Sequence, residues 1–449
     1  MPVYALVDGN SFYASCQIAF NPALKDRPVV VLSNNDGCIV AANALAKQLD
    51  LQLTKPFGKG GYHAARSNSI MFQPYFKVAA LLKKHNTAIF SSNYELYADM
   101  SQRMHRITAN FADRQEIYSI DESFLDFSGM DNIDLTQHAQ TLKQRVDQWI
   151  GIPVAVGIAS TKTLAKLANH LAKKQQSGIL DLTSLSEHTK DALFKQVKVG
   201  SIWGVGKQLA AQLESQQIFT AYDLKNSNLK TIRKQCSVNV ERTVLELNDQ
   251  ACLQFDETYL DSMPNKQQII SSRSFGQLVE DFAEMRQAVT SYTAVAAEKL
   301  RKQNSVCKIL TVSITTPPHR EKVAQYQNKI SLPLIYPTDN TLLLSKIAVH
   351  ALQQIWAPGF QYLKATIGLS QISPKGALQI DLFAPNPQFS GSPKSDKLMQ
   401  VLDQVNKKMG KGAIQVASSG LQQPAWQMNR NLMSPRYTTR WDELLRVKA

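Results

Sequence analysis

Apolar and polar positions alternate through Glu116-Ile117-Tyr118-Ser119-Ile120-Asp121-Glu122-Ser123-Phe124-Leu125-Asp126-Phe127, on either side of an acidic pair. A period of two marks strands, so this stretch predicts a strand, a short acidic turn and a second strand. Short apolar runs predict further buried strands at 3–8, 28–32, 88–92 and 153–159. Helices follow several of them. An alanine-rich helix carrying Lys47 is expected after Cys38-Ile39-Val40, and another from about 94 to 107. A third, capped by Ser160 or Thr161, would place Leu164, Leu167, Ala168 and Leu171 on one face.

Residues 181–255 read as mostly helical, with Trp203-Gly204-Val205-Gly206-Lys207 leading into a helix through Leu213. After a polar connection around 261–268, strands and helices mix again. Strands are expected at 271–277, 307–315 and 361–369, with helices at 284–302 and near 340–356. The glycines of 54–61 read as a flexible connection, because the Gly-Lys-Ser/Thr ending of a phosphate-binding loop is missing. Beyond 373 the chain is rich in Gly, Pro, Gln and Ser, with eleven basic against five acidic side chains, and partial disorder is expected.

At 449 residues the chain exceeds what one core organises, and three or four domains are expected. Its 44% hydrophobic and 19% charged residues are those of an ordinary globular chain, with no apolar run long enough to span a bilayer and no secretory leader. Five scattered cysteines (Cys16, Cys38, Cys236, Cys252, Cys307) suit free thiols in a reducing cytoplasm, not a zinc site. The net charge of +14 points to a polyanionic partner, nucleic acid before membrane.

Three carboxylates carry the candidate chemistry. Asp121 and Glu122 can share a site only at a bend, since strand neighbours point to opposite faces. Asp8, at the end of the 3–8 strand, would add a third acid to form a hard-metal site completed by backbone oxygens. From 153 to 174 there are four lysines and no acid, and Lys162, Lys166 and Lys173 share one helical stripe. Lysine at a helix start opposes the helix dipole, so an anion is expected there. Gly204 and Gly206 could offer N–H groups to a DNA phosphate in a helix-hairpin-helix. Gln379-Ile380-Asp381-Leu382-Phe383 has the form of a docking peptide.

Taken together, segments 8–16, 32–47, 91–101, 118–124, 156–173, 205–206, 270–276, 426–428 and 434–440 resemble the Y-family DNA polymerases. The likeness runs over essentially the whole chain, tail included. It implies an α+β multidomain, right-hand fold: a ferredoxin-like palm (1–12 and 93–180), fingers (13–92), a helical thumb (181–262), an α/β little finger (265–371) and a clamp- and partner-binding tail (372–449). The implied activity is error-prone translesion synthesis in the bacterial SOS response, adding dNTPs to a primer 3′-OH on template DNA. Two Mg²⁺ would be held by Asp8, Asp121, Glu122 and the Gly9 carbonyl. Tyr13 would be the steric gate against a 2′-OH, with Phe12 packed beside it, and Lys47 and Lys173 would reach the triphosphate.

Lys162, Lys166, Gly204, Gly206, Lys207 and Arg273 would contact DNA, and Gln379, Ile380, Asp381, Leu382 and Phe383 would enter the β sliding clamp. The resemblance also implies a UmuD′ dimer and RecA as partners, in the cytoplasm at the nucleoid. Departures lie in the fingers, where the wider family has a Tyr and an Arg at the positions of Ala44 and Lys47, and at Ser11, a small apolar position in its nearest branch. Lysine meets phosphate as a point charge, not a planar fork. Two alternatives stand beside this reading: a catalytically weak, clamp-recruited DNA-binding subunit, and another palm-type nucleotidyl enzyme such as a cyclase or nuclease.

Overall fold

The computed structural model describes residues 2–52, 69–175, 177–255, 265–318, 324–376, 393–410, 412–420 and 426–444. At its centre, β1 (Tyr4–Gly9) is buried along its whole length. It runs antiparallel between β6 (Glu122–Asp126) and β7 (Val154–Ala159), and β5 (Gln115–Ile117) and β8 (Ile179–Asp181) complete a five-stranded sheet in the order β5-β6-β1-β7-β8. The period of two sorts the side chains. Ala5 and Val7 join the core under α4 (Tyr94–Thr108) and α5 (Leu135–Ile150), with α1 (Phe12–Phe20) alongside. Tyr4 and Leu6 face the opposite core, shared with α6 (Lys162–Ala172). Thr161 caps α6, its hydroxyl accepting the Leu164 N–H.

A smaller sheet, ordered β3-β2-β4, comprises β2 (Val29–Leu32), β3 (Ile39–Ala42) and β4 (Ala88–Ser91), with β2 and β4 parallel. The alanine-rich helix expected after residue 40 is one turn only, α2 (Ala44–Lys47), because Ala41 and Ala42 continue β3. Val30, Leu32 and Ile39 pack on Val78 and Leu82 of α3 (Tyr75–Lys84). The connection at 54–61 lies outside the described residues.

Five short helices follow: α7 (Glu187–Phe194), α8 (Lys207–Glu214), α9 (Ala221–Lys225), α10 (Leu229–Gln235) and α11 (Val238–Leu247). Their core is continuous with the apolar face of α6, joining Leu164 and Leu167 to Phe194, Leu213 and Leu247.

The last α/β unit contains β9 (Ile269–Val279), α12 (Phe282–Lys302), β10 (Ser305–Thr315), β11 (Gln327–Thr338), α13 (Thr341–Ile355) and β12 (Tyr362–Pro374) in an antiparallel sheet ordered β11-β10-β12-β9. Strand β11 was not expected from the sequence. It carries Pro333 and Pro337, which argue against a central strand, and it lies at the sheet edge where proline is tolerated. Of the tail beyond 373, where partial disorder was expected, residues 377–392, 411, 421–425 and 445–449 lie outside the described residues. Residues of α14 (Pro393–Met409) pack on this unit through an Arg301–Asp403 pair at 2.7 Å, and Trp426 is buried in its core. No described helix is long and apolar enough to cross a membrane.

Candidate active site

Strand pairing brings the three acids together. In the β1–β6 ladder Asp8 stands opposite Glu122, so both side chains leave the same face at the strand ends. Asp121 lies in the bend before β6, and its carbonyl accepts the Gly9 N–H at 2.8 Å. The bend frees Asp121 from strand alternation, and a side chain on Gly9 would touch its Cβ at 3.6 Å. Ser119 fixes this turn. Its hydroxyl donates to Asp121 Oδ1 at 2.6 Å and accepts the N–H groups of Asp121 and Glu122 at 3.2 and 3.1 Å.

The lysine stripe meets this acid row, so the anions expected beside it are supplied by the chain itself. Lys173 donates to Asp8 at 2.6 Å, and Lys166 to both Glu122 oxygens at 2.7 and 2.9 Å. Lys166 also lies over the rings of Tyr118 and Trp203. Lys162, expected on DNA, is instead only 3% exposed and bonded to Glu116 and the Gln254 carbonyl. The stripe is real, but its first member points into the junction between the sheet and the helical unit. Burial pushes the Asp8 carboxyl up to about 6, against the pull of Lys173, and the charges of Glu122 and Asp121 add to the rise. Among the described residues no three His, Cys, Asp or Glu side chains close into a metal cluster, since Asp8 and Glu122 are turned onto their lysines.

A cleft of about 390 Å³ opens over the acids, lined by Asp8, Asp121, Glu122 and Lys173 together with Ser11, Tyr13, Val40 and Lys47. Phe12, buried, also lines it. The Tyr13 ring lies flat on Tyr97 at 4.4 Å and 15°, with Tyr94 edge-on at 6.2 Å. Tyr97 is fully buried and its hydroxyl accepts a bond from Gln17 at 2.9 Å. Desolvation raises the Tyr13 hydroxyl to about 12, so it stays protonated at neutral pH. Lys47 donates to Ser11 Oγ at 3.0 Å, and Ser11 holds a left-handed backbone (φ 47°) as the cap of α1. Such a conformation in a non-glycine residue at a cleft is stored strain, held there by its surroundings.

The other expected DNA contacts are placed elsewhere. Gly204 (φ 86°) and Gly206, the cap of α8, have open space where a Cβ would stand, and Lys207 is exposed beside them. Arg273 is exposed on β9, in another unit from the cleft. The peptide Gln379–Phe383 lies outside the described residues. Sequence reading missed Ser119, Tyr97 and Gln17 and gave Ser11 no role. Only the Ser-x-Asp spacing at 119–121 hinted at one of them, as an ST-turn.

The whole arrangement is that of a right-hand polymerase. A solved Y-family DNA polymerase chimera of Dbh and Dpo4 superposes with a TM-score of 0.61 at 19% identity, covering 83% of this chain and 99% of that one. Residues 7–170 match the impB/mucB/samB family, 266–382 match its C-terminal domain, and 396–447 match a domain of unknown function. Protein UmuC of Salmonella typhimurium is 43% identical over 99% of this chain and 100% of its own length. Protein MucB of Escherichia coli is 40% identical over 98% of each. DNA polymerase IV 2 of Bacillus subtilis is 33% identical over 53% of each. The chain belongs to the impB/mucB/samB family.

Proposed function

We propose that this chain is an error-prone, translesion DNA polymerase that adds dNTPs to a primer 3′-OH opposite a template strand. The observation that carries the reading is Asp8 facing Glu122, with Asp121 beside them, in a cleft that Tyr13 and Lys47 also line. Its units take the roles of palm (1–12 and 93–180), fingers (13–92), thumb (181–262) and little finger (265–371), followed by a partner-binding tail.

The donor set fits Mg²⁺: three carboxylates and the Gly9 carbonyl are all hard oxygens, and none is committed to a rigid cage. Bound there, two such ions would lower the pKa of the attacking hydroxyl and neutralise the departing pyrophosphate. The chain's own residues do the rest. Lys173 and Lys166 now neutralise Asp8 and Glu122, and Lys173, which lines the cleft, is placed to pass to a triphosphate. Lys47, also in the cleft lining, serves the triphosphate as well. Tyr13, backed by Tyr97, presents a flat ring that rejects a 2′-OH by overlap. Lys207 with the 204–206 turn, and Arg273, flank the duplex.

The tail peptide 379–383 serves the sliding clamp. A UmuD′ dimer and RecA are the proposed partners in the SOS response, at the bacterial nucleoid. The test is Asp121→Asn, which retains an acceptor for Ser119. Primer extension should vanish while binding to primed template persists; extension near the parent level would refute the assignment.

A further inference from the structure

Residues 426–437 cross three of the units and end on the two helices that carry the Tyr13–Tyr97 pair. Trp426 sits beside Phe275 and Tyr292, with ring centroids 6.4 and 5.7 Å away. The Asn429 N–H donates to Asn35 at 2.9 Å and the Asn431 N–H to Asp36 at 3.2 Å. Leu432 and Ser91 exchange two bonds of 2.9 Å at the edge of β4. Asn93, the buried cap of α4, donates to the carbonyls of Ser434 and Pro435 at 3.0 and 3.2 Å, while its own Oδ1 accepts the Leu96 N–H. Tyr437 stacks on Phe20, the last residue of α1, at 4.9 Å and 13°.

Helix α1 begins with Phe12 and Tyr13, and the first turn of α4 presents Tyr94 and Tyr97. One short segment therefore grips both helices whose separation decides where the Tyr13 ring rests. Tyr97 has no slack of its own, being fully buried and held by Gln17.

From this geometry we infer that residues 432–437 are a positioning element of the nucleotide site, setting how firmly the Tyr13 ring is held against an incoming sugar. The segment lies within the 396–447 match to a domain of unknown function, and the inference supplies a role for this part of it. It rests on the polymerase reading and on Tyr13 as the gate. A ring that rejects a hydroxyl by overlap loses that power if its backing retreats by a fraction of an ångström, since repulsion is steep and attraction shallow.

The test separates the tail contact from the helix cap. Asn93→Asp retains a capping oxygen, which is as good a cap as asparagine, and turns lone pairs on the two carbonyls, leaving only the Ser434 hydroxyl, 3.1 Å from the replaced nitrogen, able to turn and donate to it. Asn93→Ser keeps a capping oxygen without a charge and replaces the two-donor NH₂ that spans both carbonyls by one shorter hydroxyl, and Tyr437→Ala removes the second grip. The readout is the ratio of kcat/KM for dNTP over rNTP in primer extension. Each variant should lower that ratio on the order of three- to tenfold, the size of a coupling between neighbouring residues. In a Tyr13→Ala background the same changes should have no further effect, because the element acts through that ring.

An unchanged ratio in Asn93→Ser/Tyr437→Ala overturns the inference, whether hydrogen exchange finds 432–437 released or still protected. A further loss on top of Tyr13→Ala overturns it too. Failure of the underlying reading looks different: a parent that extends no primer, or a Tyr13→Ala variant with full discrimination.

Discussion

Glu246 holds the helical unit to the central sheet, and its removal can be quantified. It is the penultimate residue of α11 and has no solvent exposure. One carboxylate oxygen accepts the N–H groups of Cys252 and Leu253 at 2.9 and 2.8 Å, and the other accepts that of Thr163 at 2.9 Å, in the first turn of α6. Its backbone carbonyl takes the Thr161 hydroxyl at 3.0 Å. A hydrogen bond to a charged acceptor contributes about 1.5–3 kcal/mol, and each buried donor left bare costs about 1–3 kcal/mol. The negative charge also sits at the N-terminal end of the α6 dipole, worth up to about 2 kcal/mol when partly buried. These terms overlap because local collapse or water recovers part of the loss. A net cost of about 3–5 kcal/mol for Glu246→Ala follows, from three donors left bare at about 1–3 kcal/mol each less what relaxation recovers.

Glu246→Gln keeps the shape but has one acceptor oxygen. Facing Cys252 and Leu253, it would turn an NH₂ toward the Thr163 N–H, for a cost of about 2 kcal/mol. Thermal melting reads both: at roughly 2–4 °C per kcal/mol, the alanine variant should fall by on the order of 10 °C and the glutamine variant by about half that. Faster hydrogen exchange at the Thr163, Cys252 and Leu253 amides should accompany the fall. An alanine variant melting within about 2 °C of the parent would refute the reasoning. Primer extension should drop as well, since α6 aims Lys166 at Glu122.

Two further outcomes follow from the same packing. Gly157 lies directly under α6, where a methyl group would stand 2.1 Å from the Asn169 nitrogen and 2.4 Å from the Ala165 carbonyl oxygen, so Gly157→Ala should destabilise by about 3 kcal/mol or more and show as a lowered melting temperature. Burial pushes the Asp126 carboxyl up, but Ser128 and Arg114 outweigh it and leave it below the ordinary value of 3.8. A depressed folded-state pKa stabilises above the ordinary value and is lost as pH falls through the depressed one, so the melting-temperature gap between parent and Asp126→Asn should narrow below about pH 4; a constant gap down to about pH 3 counts against it.

Much of the site was legible because its information is local. The apolar run ending in Asp8 and the alternation around Asp121 and Glu122 state strands with acids at their tips, and period-two geometry makes Asp8 and Glu122 partners once the strands pair. The lysine stripe was equally plain as spacing. Its meaning was not: whether an ammonium group meets solvent, DNA or a carboxylate depends on what packs opposite, and only the fold set Lys162 on Glu116, Lys166 on Glu122 and Lys173 on Asp8. Pro333 and Pro337 hid an edge strand, because proline reports a missing donor and not whether a neighbour needs it. What the tail's described residues near 430 rest on was hidden for a related reason. Their backbone is satisfied by Asn35, Asp36, Ser91 and Asn93, more than 300 residues away in the chain. Local pattern therefore determined the strands, the helices and the acids. Long-range packing decided which charges were neutralised, which ring backs Tyr13, and where the end of the chain comes to rest.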